Sequence, residues 1–147
     1  MSGRKRIVVG GTFDIIHVGH IRFLYRAKSV AENSELIVIV ARDKTVKKIK
    51  KREPIFNERE RLEIVSALKP VDLAILGNEE GGLFEILRDI KPDIVVLGYD
   101  QQIDENKLKL WARQNGLNIR VLRLPKFYAR IDSSSKARMV IASNKKD

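Results

Sequence analysis

His17 and His20 are the only histidines in the chain, and they stand three residues apart. An apolar run, Arg6-Ile7-Val8-Val9, and a glycine pair, Gly10-Gly11, come before them, and a segment with the composition of a helix follows. Strand, glycine turn and helix start make a phosphate-binding arrangement. Glycines let a ligand approach the backbone, and the first turn of a helix offers unpaired N–H groups at the positive end of its dipole. Both imidazoles can face the same way there, and Gly19 leaves room for a phosphate beside them. Two plainer readings compete: an ordinary half-buried pair, or a zinc site, for which no cysteine exists to complete the ligand set.

The periodicity of the rest of the chain supplies elements to hold that turn. Apolar runs predict strands over 6–9, 35–41, 71–76, 94–97 and 118–124, and helical patterns fall over 21–31, 58–68, 84–90, 105–115 and 136–142. Asn57 with Glu60 reads as a helix start, Gly116 as a stop, and the serines after Asp132 as a final N-cap. Six of the ten residues 43–52 are lysine or arginine, which reads as a mobile basic loop or short helix. Alternating strands and helices predict an α/β fold: a doubly wound, Rossmann-like five-stranded parallel sheet with helices on both faces, as one domain over 1–147. In such sheets ligands bind outside the carboxyl ends of the strands. That rule selects four stretches: 10–20, 42–52, 98–101 and 126–135.

Composition narrows the function. A chain of 147 residues can bury a core without staples, and the absence of cysteine together with an N-terminus lacking an apolar signal core suggests a cytoplasmic protein. No apolar run approaches a membrane span. The net charge of +10 suits nucleic acid or small anionic substrates. The few aromatic residues do not interleave with the basic clusters as a stacking platform would, so a triphosphate is the more economical partner.

The stretch Gly11-Thr12-Phe13-Asp14-Ile15-Ile16-His17-Val18-Gly19-His20 resembles the signature of the cytidylyltransferase-like nucleotidyltransferases. In that family the two histidines stabilise the α-phosphate of a nucleoside triphosphate while a phosphate or hydroxyl group of a second substrate attacks it. The resemblance implies catalytic roles for His17 and His20 and, in the basic segment, for Lys50 and then Lys47. Arg61, after Glu60, matches an arginine that reaches the phosphates in the family; a surface arginine of an amphipathic helix is the competing reading. Gly98-Tyr99-Asp100 resembles the family's G-x-D segment, whose aspartate helps hold the nucleotide. Ser133, Ser134 and Ser135 resemble the phosphate-binding segment that opens its last helix.

Two departures bear on substrate. Glycerol-phosphate cytidylyltransferases carry Arg-Thr-Glu-Gly-Ile-Ser before the last helix and a tryptophan after the fourth-strand aspartate, where this chain has residues 126–133 and Gln101. Its body is similar to the archaeal FAD synthases over most of the domain. That likeness implies nucleotide contacts at Gly11, Thr12, Phe13, His17, Val18, Gly19, His20, Asp100 and Tyr128, with Ser133 and Ser134 on phosphate. The acceptor side is expected at Asp14, Arg61, Lys126 and Arg130. Transfer of AMP from ATP to FMN is the expected reaction, with a divalent cation such as Mg²⁺ on the phosphates and a homodimer as the assembly. A CTP-dependent enzyme acting on a small phospho-alcohol is the alternative, and a non-catalytic nucleic-acid-binding module is the third reading.

Overall fold

The computed structural model describes residues 3–79, 82–127 and 134–144. Five strands, β1 (Lys5–Gly11), β2 (Ser34–Val40), β3 (Leu73–Leu76), β4 (Ile94–Leu97) and β5 (Arg120–Arg123), form one parallel sheet in the order β3-β2-β1-β4-β5. The helices are α1 (Val18–Lys28), α2 (Asp43–Lys50), α3 (Glu58–Ser66), α4 (Leu83–Ile90), α5 (Glu105–Gln114) and α6 (Ser134–Asn144). The Rossmann-like α/β expectation holds.

Why the strands sit where they do follows from their side chains. β2 is apolar on both faces, and Leu36, Val38 and Val40 have no exposure, so it occupies an interior position. Each such side chain contributes roughly 1.5–3 kcal/mol by leaving water. One face of the sheet buries Ile7, Val9, Val38 and Val96 against Leu24 and Ala27 of α1 and Val65 of α3. The other buries Val8, Ile37, Ile39 and Val95 against Ile86 and Leu87 of α4 and Leu108 of α5. The chain runs outward from β1 through β2 to β3, then crosses back through α4 to β4 on the other side of β1. Strand order therefore reverses between β1 and β4, which is where such a sheet opens a crevice.

Several boundaries move from the sequence reading. Residues 43–50 are a helix, anchored by one buried residue, Val46, and stopped by Lys51 in a left-handed conformation. α1 starts at Val18, because His17 caps it. Asn57 and Glu60 form a reciprocal capping box, each side chain accepting from the other's backbone N–H. Past Gln114 the chain turns with Gly116 at φ 70, and Leu117 N–H donates back to Ala112 O.

Candidate active site

The parallel pairing of β1 with β4 is Ile7 with Ile94 and Val8 with Val95, whereas β1 pairs with β2 through to Gly11 and Val40. Beyond Val8 the side chain of Gln101 spans the gap. Its oxygen accepts from Gly98 N–H at 3.2 Å, and its Nε2 donates to Gly10 O at 3.3 Å. Above this seam lies a cavity of about 660 Å³, reached by His17, His20, Thr12, Lys50, Asp100 and Lys126 among others.

The turn leaving β1 is tightly specified. Phe13 takes φ 52, and its buried ring lies 5.5 Å from the His20 ring. A Cβ at Gly11 would meet that ring at 2.8 Å, so the ring fits there only because residue 11 has no side chain. The two imidazoles stack with centroids 3.9 Å apart. Gly19 N–H donates to His17 Nδ1 and His17 N–H donates to His20 Nδ1, each at 3.1 Å. A ring nitrogen that accepts carries no proton, so each ring bears its N–H on Nε2. Burial, the charge of His17 and then that of Lys50 push the pKa of His20 down to about 3. At neutral pH His20 is therefore an uncharged donor, matched to charge that develops on a bound group.

The basic helix divides its residues between cavity and solvent. Thr45, Ile49 and Lys50 line the cavity, whereas Lys47 is exposed and pairs with Glu53 at 3.1 Å. Of the two lysines selected by resemblance, only Lys50 stands at the site. Asp100 and Tyr99 line the β4 side, with Lys126 Nζ 5.7 Å from the Tyr99 ring centroid. Gly11, Thr12, Phe13 and Gly19 also line the cavity, and Val18 is half exposed in the first turn of α1. Tyr128, Arg130 and Ser133 lie outside the described residues, and Ser134 is the first residue of α6.

Two acceptor-side assignments are corrected. Arg61 has no exposure: its guanidinium donates to the carbonyls of Phe56, Thr12 and Ala41 and pairs with Asp43 at 2.7 Å. It is neither a phosphate contact nor a surface residue, but a brace joining the ends of β1 and β2 to the start of α2. Asp14, 3% exposed, accepts from Ile55 and Phe56 N–H at 2.9 Å and pairs with Arg138 of α6. Burial alone would raise its pKa, but these backbone donors and the guanidinium hold it below the usual carboxylate value. With its oxygens so occupied, Asp14 organises the site from behind.

Sequence reasoning missed Gln101 as a bridge and missed Arg123. The latter donates to Gly98 O, Gln101 O and Ile103 O and pairs with Glu105 at 2.8 Å, fixing the loop that carries Asp100. An arginine inside a short strand was the available signal.

A parallel sheet that parts at its reversal point, with two imidazoles at a helix start beside a lysine, defines a protein that binds phosphates for transfer. The chain belongs to the cytidylyltransferase-like family, whose model matches residues 8–140. It is 49% identical over 138 residues to an FAD synthase of Korarchaeum cryptofilum, covering 93% of this chain and 92% of that protein. An FAD synthase of Archaeoglobus profundus is 56% identical over 119 residues, 81% of this chain and 74% of the relative. Among solved structures, a lipopolysaccharide core biosynthesis protein from Thermoplasma volcanium superposes with a TM-score of 0.79 at 41% identity, covering 86% of this chain and all of that one.

Proposed function

We infer that this chain transfers AMP from ATP to the phosphate of FMN, giving FAD and pyrophosphate. The FAD synthases to which it is similar over most of its length support the substrates. The observation that carries the chemistry is the pair of imidazoles whose Nδ1 atoms accept backbone N–H groups, which leaves Nε2 of each ring as the donor. A phosphate oxygen of FMN attacks the α-phosphorus in line, and the bond to the β-phosphate bridging oxygen breaks as pyrophosphate leaves. Negative charge that grows on the α-phosphate oxygens meets donors already in place, so little reorganisation is needed. Lys50 offsets triphosphate charge, and the Asp100 carboxylate accepts from hydroxyls of the nucleoside.

Mg²⁺ is the cation we propose for the reaction. Among the described residues no cluster of three carboxylate, histidine or cysteine side chains stands ready to cage a metal. Asp100, which lines the cavity, is the carboxylate that would reach an ion carried mainly by phosphate oxygens and water, as Mg²⁺ often is. When bound, the ion supplies shielding of the phosphates. A homodimer is proposed from family likeness, with light scattering as its check. A cytoplasmic location is proposed from the absence of cysteine, and among the described residues no helix is long and apolar enough to cross a membrane.

Purified protein incubated with ATP, FMN and Mg²⁺ should release pyrophosphate and form FAD, read by mass spectrometry. CTP with glycerol 3-phosphate should give little product. A CDP-alcohol formed in place of FAD would reverse the assignment.

A further inference from the structure

Asp100 stands at the tip of a four-residue turn, closed by Gln101 N–H, which donates to Gly98 O at 3.3 Å. Tyr99 and Asp100 are both exposed there. The turn follows β4 and belongs to no strand or helix, and the β1–β4 pairing has already stopped at Val8 and Val95. Its shape must therefore come from whatever takes up the polar groups at its two ends.

One side chain takes up both. Arg123, the last residue of β5, pairs with Leu97 of β4, which brings its guanidinium beside the turn. Nη1 donates to Gly98 O at 2.8 Å and to Gln101 O at 2.9 Å, Nη2 to Ile103 O at 3.0 Å, and Nε to Glu105 Oε1 at 2.8 Å. A single planar group thus joins the start of the turn, its end, the segment leaving it and the first residue of α5. Carbonyl oxygens that converge in this way repel one another unless a cationic donor stands among them. Glu105 holds the plane of the guanidinium from the N-terminus of α5, where a carboxylate is favoured. Neither Arg123 nor Glu105 lines the cavity, whereas Gly98 to Ile103 all do.

Resting on the activity inferred above, in which the Asp100 carboxylate accepts from the nucleoside, we propose that Arg123 is a positioning residue for ATP: it fixes the turn that presents Asp100 without touching the nucleotide. The ordering of an exposed turn is then completed in folding rather than on binding. Freed from the guanidinium, the turn would have to be ordered by ATP itself, which weakens affinity. The imidazoles, carried by the turn after β1, stay in place.

A double-mutant cycle on ATP affinity, measured by isothermal titration without FMN, tests this. Arg123→Met should weaken ATP binding roughly tenfold and Asp100→Ala by a similar factor, the worth of one hydrogen bond to a charged group. The double variant should bind no more weakly than Asp100→Ala alone, because the turn then has nothing to present. Arg123→Lys should stay weak, since one ammonium cannot replace a fork that spans three carbonyls and a carboxylate. Turnover at saturating ATP should remain within about threefold of the parent in both Arg123 variants, a split that general destabilisation does not produce. Thermal melts accompany each variant, and if Arg123→Met does not fold, Arg123→Lys carries the cycle. Parent affinity in Arg123→Lys or in Asp100→Ala, or losses that multiply in the double variant, would overturn the proposal. A parent protein that binds ATP but forms no FAD overturns the activity and leaves the cycle to decide Arg123; one that does not bind ATP overturns both.

Discussion

The turn that leaves β1 and the helix that follows β2 both reach the cavity, yet they are built on opposite plans. In the turn, each imidazole accepts a backbone N–H, Phe13 is packed against a position that only glycine can occupy, and Asp14 is tied from behind. In α2 one residue, Val46, is buried, and the lysines stand in solvent apart from Lys50 at the cavity. Groups that must meet a developing charge are fixed in advance, at the expense of conformational freedom. Groups that the proposed function asks only to offset standing charge are left in solvent, since a point charge tolerates imprecise placement.

Removing the link between the two regions should have the largest effect. Arg61→Met leaves three partly buried carbonyls and Asp43 without their donor and should cost about 3–5 kcal/mol of stability in urea titration, the range for breaking a buried charged pair. A loss below about 1 kcal/mol, the worth of an exposed pair, would show that the brace is dispensable. Next, His17→Ala or His20→Ala should lower turnover by roughly two to three orders of magnitude with the fold preserved in circular dichroism. Near-parent turnover in both would erase the contrast.

Acid should act on the turn rather than on α2. The unfolded chain, with an ordinary histidine pKa near 6.5, takes up a proton that folded His20 refuses until about pH 3, so stability falls as pH drops below 6.5. Between pH 6.5 and 5.5 the loss from this group is at most roughly 1.4 kcal/mol. His20→Gln should flatten that part of the stability profile, and an unchanged slope would assign it to other groups. Asp14 adds a later phase of the same sign, present above the unfolded carboxylate value and lost as pH falls through its lowered folded value. The smallest effects belong to α2: Lys50→Ala should raise the KM for a phosphorylated substrate about fivefold, near 1 kcal/mol, and added salt should mimic it. Lys47→Ala should change little, and equal effects of the two substitutions would mean that α2 acts through net charge alone.

What was legible in the sequence was whatever depends on near neighbours. The strand runs, the Asn57 and Glu60 cap and the placement of His17 and His20 each rest on residues within a few positions of one another. Arg61 and Asp14 were misplaced because what decides their fate is distant: Thr12 and Ala41 for one, Ile55 and Arg138 for the other. A charged residue near a site reads as a ligand until its partners in the fold are known. Helix α2 was left open because its lysines hide a single buried residue. Gln101 offered no pattern at all, since its role exists only where β1 and β4 stop pairing.

That amide has a consequence for how such enzymes diverge. Because a side chain and not a backbone ladder closes the sheet beneath the cavity, the width of the seam is heritable at one codon. A substitution at Gln101 removes its bonds to Gly10 O of β1 and to Gly98 N–H together, so one position governs how the two strand ends stand apart.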